Sequence, residues 1–179
     1  MTSDLTDDQR RSYLKDEYMF LQAQYEDYDK RSLTIKGWTS GGAAGALAIA
    51  FNSSYRPAIF VLVIVAVIVA AIWYLEAYWK LFQYALADRI RIIEAYFRND
   101  PDILVKNPAP FQIYHWWFKS YSEDKPIYEY EKKRRPRRHS ERIRQVALQK
   151  FVCVPYLPIL ILCILSVVIL VISPPPPSK

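Results

Sequence analysis

The residues of this 179-residue chain that could perform chemistry are too scattered to predict a catalytic or metal site. Its two histidines are His115, in an aromatic run, and His139, in a basic run, and neither has a Cys, His or carboxylate at metal-ligand spacing. Cys153 and Cys163 lie on one predicted helix about 15 Å apart, too far for a disulfide within the chain. Phosphate loops, nucleophile elbows and H-E-x-x-H motifs are absent from the sequence. We therefore expect no enzyme activity, no cofactor and no metal.

A repeat of small residues is the first pattern that indicates a function. Gly37, Gly41 and Gly45 recur every four residues and Ala48 follows, so a helix would carry them on one face. Small residues at this spacing let two membrane helices approach closely. The face could pack against another helix of the same chain, or it could join copies of the chain into a homo-oligomer.

A basic run, KKRRPRRHSERIR (132–144), is the second such pattern. Three ligands fit it: anionic lipid at a membrane surface, the phosphates of a nucleic acid, or an acidic protein. No base-reading motif decides among them. The predicted contact residues are the cationic ones: Lys132, Lys133, Arg134, Arg135, Arg137, Arg138, Arg142 and Arg144.

The elements that carry these residues read as membrane helices. Residues 57–75 and 151–173 contain no charge, and each stretch is long enough to cross a hydrocarbon core of about 30 Å as a helix. Residues 37–51 are also uncharged, although shorter and richer in small side chains. Three such blocks are hard to bury in the core of so small a soluble protein. We expect three transmembrane helices, the first two joined by a tight turn.

Both helices of this hairpin are predicted to continue beyond the membrane, because neither 14–36 nor 58–99 contains Pro or Gly. An apolar seam at three- and four-residue steps runs before the first span. Beyond the second span the helix is apolar on more than one face (Ile90, Ile92, Ile93, Phe97), which favours self-association. The predicted fold is an all-α integral membrane protein: a long antiparallel hairpin with a cytoplasmic stalk, plus a third transmembrane helix. The predicted seam residues are Leu14, Tyr18, Leu21, Tyr25 and Tyr28.

The distribution of Lys and Arg predicts the orientation. Residues 1–36 carry six and 76–150 carry sixteen, whereas 52–56 and the tail after 173 carry one each. The N-terminus is therefore expected in the cytoplasm and the C-terminus outside. The predicted segments are a cytoplasmic N-terminal helix (1–36), a transmembrane hairpin (37–76), a cytoplasmic continuation (77–98), a basic aromatic-rich region (99–150), a third transmembrane helix (151–173) and a Pro-rich outer tail (174–179).

The stretches LKDEYMFLQAQYEDYDKRSLTIKGW (14–38) and RIRIIEAYF (89–97), with the hairpin between them, resemble the small membrane effectors of bacterial anti-phage systems. These include SLATT-type two-transmembrane effectors and retron-associated transmembrane effectors. The resemblance covers 14–98 and implies an oligomerising, pore-forming hairpin of the inner membrane. It also implies an inhibitory partner, either a reverse transcriptase with its RNA–DNA hybrid or another sensor, whose release of this toxin causes abortive infection. The third helix and Pro-rich tail depart from the two-span pattern.

Two further hypotheses belong to different classes. The chain could be a membrane anchor without a pore, recruiting nucleic acid or a protein complex through 132–144. It could also be an accessory subunit of a larger membrane complex.

Overall fold

The computed structural model describes residues 5–52, 55–133 and 135–172, with the side chains of all but 55–57. Within these ranges all regular secondary structure is helical. Ile103 and Tyr128 form an isolated β-bridge, which does not extend into a strand. The all-helical class is thereby confirmed. The α-helices are α1 (Asp7–Asn52), α2 (Tyr55–Arg98), α3 (Ile113–Glu123), α4 (His139–Ala147), α5 (Lys150–Cys153) and α6 (Tyr156–Ile172), and a 3₁₀ helix covers Glu129–Lys133.

The start of α1 and the end of α2 both carry recognisable caps. At the start of α1, Thr6 Oγ1 accepts from Gln9 N–H and Gln9 Oε1 accepts from Thr6 N–H, a reciprocal capping box. The end of α2 is a Schellman motif, in which Asn99 adopts a left-handed φ of 52° and Asp100 N–H bonds the Ala95 carbonyl at 2.9 Å. Between these ends neither helix is interrupted.

The chain divides into two compact units, and α1 and α2 contribute to both. The first unit takes in the described residues up to Lys30 together with Trp79–Ile143. The second takes in Arg31–Tyr78 and the described residues from Arg144 onward.

The predicted seam forms the first core of the first unit. Leu14 and Leu21 are fully buried and pack with Ile90 and Ile93 of α2 in the same chain. Lys80 Nζ and Asp29 Oδ1 add an ion pair of 2.5 Å between the two helices. The other seam residues are tyrosines that lie half-buried: Tyr18, Tyr25 and Tyr28.

The second apolar face of α2 is covered by its own chain. Ile92 and Ala95 are fully buried and pack with Ile103, Ile127 and Tyr128 from the segment that follows α2. Ile92 is thus buried without a second copy, whereas Phe97 is exposed. The expectation that the apolar surface of α2 favours self-association stays a prediction.

The third apolar stretch is not one helix. Its first residues form the short α5, the chain is extended at Val154, and α6 begins at Tyr156. Pro155 explains the break, because proline has no N–H and disfavours helical backbone at the preceding residue. The single helix predicted over 151–173 is thus shortened to the 17 residues of α6. The Pro-rich tail and the turn at 53–54 lie outside the described residues.

Candidate functional site

The small-residue face of α1 is open. Gly37, Gly41, Gly45 and Ala48 are all exposed. A Cβ added to any of the glycines would have no heavy atom within 4 Å beyond its own stretch of helix. Among the described residues, no other part of the chain packs against this face.

The opposite stripe of α1 makes the contacts inside the second unit, and it is also built of small residues. Ala43 is buried with Val69, Ile159 and Cys163. Ala50, farther along α1, is buried in a separate cluster. Leu47 is half-buried and packs against both clusters. Four other large apolar residues in this part of α1 point outward, with fractional exposures of 59–78 %: Leu33, Trp38, Ile49 and Phe51.

One carboxylate gathers polar groups from three helices of the second unit. Glu76 of α2, only 4 % exposed, accepts from Ser32 Oγ at 2.5 Å and pairs with Lys36 Nζ at 3.0 Å through its Oε1. Lys36 Nζ also donates to the Phe151 carbonyl. The buried Tyr156 hydroxyl lies against this carboxylate but outside hydrogen-bond geometry, and Glu76 Oε2 is buried without a hydrogen bond. We call these five residues the polar hub.

Sequence reasoning missed the hub. A signal was present: Lys36 immediately precedes the apolar part of α1, and Glu76 immediately follows that of α2. In an antiparallel hairpin, two such positions lie at the same end.

The first unit contains a buried ion pair that the sequence reading also missed. Glu17 accepts from Arg89 Nε at 2.8 Å and Nη2 at 3.0 Å, and both side chains are at most 2 % exposed. The same pair binds the chain beyond α2, because Arg89 Nη2 donates to the Ala109 carbonyl and Phe111 N–H donates to Glu17 Oε2. Arg89, which interrupts the apolar pattern of α2, is the polar centre of this core.

Part of the basic run is bound within the chain. Arg142 is 8 % exposed, donates to the Tyr121 carbonyl at 2.7 Å and pairs with Asp124. Arg137 N–H donates to the same Asp124 carboxylate, and Lys132 pairs with Glu129. The guanidinium of Arg142 is therefore buried against α3, and its predicted contact with a partner stays a prediction.

The other described cations of the run are free to bind a ligand. Lys133, Arg135, Arg138 and Arg144 are exposed, and their side chains form no hydrogen bond or ion pair with the rest of the described chain. Arg134 lies outside the described residues.

An aromatic ladder lies beside the basic run. Trp117 and Tyr121 of α3 stack with centroids 5.2 Å apart and planes at 5°, and both contact Phe82 of α2. The His139 ring meets Tyr121 edge-on, and its Nε2 lies 3.2 Å from the phenol oxygen. His139 is thus occupied with Tyr121. No group of three metal-ligating side chains forms among residues 5–52, 55–133 and 135–172.

Two carboxylates of the first unit have shifted pKa values. Burial raises the pKa of Asp88, despite the Arg91 guanidinium 3.2 Å away. Burial would also raise the pKa of Glu131, but bonds from Arg91 and from the Ile127 and Tyr128 amides outweigh it and lower that pKa.

The outer surface of the second unit is apolar. In the described part of the chain, one helix is long and apolar enough to cross a membrane: α2 from Ala58, whose most apolar 18-residue window has a mean hydropathy of 3.0 and is only 17 % buried. The shorter α6 is also apolar, and its exposed residues include Ile164, Ile169 and Ile172. The small-residue part of α1 does not meet the same criterion.

No family model, curated protein or solved structure matches the chain.

Proposed function

We propose that this protein is a membrane effector of an anti-phage, abortive-infection system, which oligomerises and depolarises the bacterial inner membrane once an inhibitory partner releases it. The resemblance over 14–98 supports the biological setting. The partner would be a reverse transcriptase with its RNA–DNA hybrid, or another sensor of infection.

The exposed apolar surface of the second unit supports a location in lipid. A helix as apolar as the start of α2 would be mostly buried if it formed the core of a soluble protein, but most of its apolar window is exposed. Contiguous apolar surface of this extent is unfavourable in water. In the proposed arrangement the apolar start of α2, the small-residue part of α1 and α6 lie in the bilayer, with the N-terminus in the cytoplasm and the C-terminus in the periplasm.

The open glycine face is the observation that carries the proposal. In lipid the hydrophobic effect does not drive helices together, so association depends on close packing and hydrogen bonds. Gly37, Gly41 and Gly45 offer a surface where a second backbone can approach, and none of the described residues of their own chain covers it. We propose that first helices of neighbouring copies meet there.

The apolar parts of α2 and α6 contain no Asp, Glu, His, Lys or Arg, so they offer no charged side chain for a proton relay or an ion-selective path. The proposed activity is therefore a coarse, unselective leak.

Toxicity of the unrestrained chain tests the proposal. Gly41→Leu with Gly45→Leu fills the glycine face and should abolish growth arrest at an equal level of protein in the membrane. Gly42→Leu is the matched control: it adds the same side chain on the same helix outside the four-residue repeat, and should leave the chain toxic. A toxic double variant would show that this face does not mediate assembly.

The exposed cations favour a second candidate function, that of a membrane anchor recruiting nucleic acid or an acidic protein. Lys133, Arg135 and Arg138 have no competing ion pair in the described chain. This hypothesis predicts salt-sensitive binding of an oligonucleotide or acidic peptide by the full chain in nanodiscs. Substituting these three residues by Ala should weaken that binding, and expression should leave the membrane potential unchanged.

A further inference from the structure

We infer that the polar hub sets the rotation of α1 about its own axis, and so determines that the glycine face points outward. Glu76 and Lys36 are the positioning residues. The inference deepens the proposed function, because it names what keeps the proposed assembly surface uncovered.

Within the second unit, apolar packing specifies this rotation weakly. The most buried apolar residues of α1 there are the small Ala43 and Ala50, the larger Leu47 is only half-buried, and Trp38 and Phe51 point outward. Packing of small side chains changes little in energy when a helix turns. In lipid, turning the glycine face toward α2 would even allow a closer approach of the two backbones.

The contacts of the polar hub fix the rotation of α1. Ser32 and Lys36 are one helical turn apart on α1, and both bind the single oxygen Oε1 of Glu76. Lys36 simultaneously holds the Phe151 carbonyl of α5, and Tyr156 at the start of α6 lies against the same carboxylate. Rotating α1 by one residue, or about 100°, would separate Lys36 from Glu76.

Burying the Lys36–Glu76 ion pair costs desolvation free energy, so stabilisation alone explains the presence of this pair poorly. Buried ion pairs are often no more stable than apolar residues of the same volume, and their best-attested use is to fix register. Glu76 Oε2 and the Tyr156 hydroxyl are buried without a hydrogen bond, so the hub is incompletely satisfied.

Cysteine crosslinking in the full-length protein in membranes tests the inference. In a background of Cys153→Ser and Cys163→Ala, one reporter pairs Ala43→Cys with Val69→Cys, which replace residues of one buried cluster. A second reporter pairs Ala44→Cys with Val69→Cys, because Ala44 is exposed on the neighbouring face. Oxidation should join the first pair within the chain and leave the second largely unjoined.

Replacing the hub pair should remove this selectivity. In the Lys36→Met, Glu76→Met variant, the yield of the Ala43→Cys crosslink relative to that of the Ala44→Cys crosslink should fall by roughly tenfold. Apolar substitution of a buried pair preserves packing but removes the contact that fixes the rotation of α1. Glu76→Gln should lower the ratio less, because it retains an oxygen acceptor. The control is Asp29→Asn with Lys80→Met, which removes another α1–α2 ion pair and should leave the ratio unchanged.

An unchanged ratio in the Lys36→Met, Glu76→Met variant would overturn the inference, as would an equal fall in the control. The measurement is independent of toxicity: failure of the wild type to depolarise cells would refute the proposed function and leave this test intact. In the Lys36→Met, Glu76→Met variant, disulfide crosslinking between two copies through Ala44→Cys should also decrease, because position 44 would no longer face outward.

Discussion

Substituting Glu17 by Gln should greatly lower the free energy of unfolding of the core of the first unit. The change leaves the Arg89 guanidinium, which is 0 % exposed, without a counter-charge. It also removes one of the two carboxylate oxygens that together accept from Arg89 Nε, Arg89 Nη2 and Phe111 N–H. Breaking one partner of a buried pair costs about 3–5 kcal/mol. This is about a fifth or more of the roughly 5–15 kcal/mol that stabilises a typical domain.

The matched control removes both charges. Glu17→Met with Arg89→Met leaves the Ala109 carbonyl and the Phe111 amide without partners, but Ala109 is half-buried and Phe111 exposed, so water can reach both. Its expected cost is about 1–2 kcal/mol, below that of the single charge-neutralising change.

Hydrogen exchange of the full chain in detergent micelles measures the difference locally. Peptides from 9–28 and 86–97 report the opening free energy of the core that contains the pair, and peptides from 58–75 serve as an internal reference. A loss below about 1 kcal/mol for Glu17→Gln, or a double variant as costly as the single one, would refute the assignment of this pair as a structural centre.

Two further predictions concern the first unit. Glu131→Gln should destabilise it at neutral pH, because a carboxylate whose pKa is lowered in the folded state stabilises the fold above its unfolded pKa and loses that contribution as pH falls through its folded pKa. In urea unfolding, the stabilities of the wild type and of Glu131→Gln should converge below about pH 4, and a difference that stays constant with pH would contradict the linkage. Arg142→Met should release the basic run from Tyr121 and Asp124 and raise its rate of proteolysis several-fold, whereas Arg138→Met, which removes an unpaired exposed cation, should not. Equal rates for the two variants would show that Arg142 does not anchor the run.

The long helices and the seam follow from local rules. Residues 14–36 and 58–99 lack Pro and Gly, so nothing interrupts α1 or α2, and the three- and four-residue steps place Leu14 and Leu21 on the side that meets α2. The break before α6 was also legible in principle, because Pro155 lies inside the apolar stretch. Hydropathy and length alone do not reveal this break, because an uncharged apolar stretch reads as continuous whether or not one residue lacks an N–H.

The polar centres could not be predicted, because they join residues far apart in the chain. Arg89 disturbs the apolar pattern of α2, and only the packing of α1 brings Glu17 to it, 72 positions away. Glu76 and Lys36 similarly require the register of the hairpin. The covered face at Ile92 depends on the irregular segment after α2, for which periodicity carries no signal.

The membrane potential of cells expressing the chain alone tests the central claim most directly. A potential-sensitive dye should report depolarisation with the wild type and none with Gly41→Leu plus Gly45→Leu at a matched level in the membrane fraction. A potential equal to that of the empty vector, with wild-type protein in the membrane, would contradict the proposal that this chain permeabilises membranes.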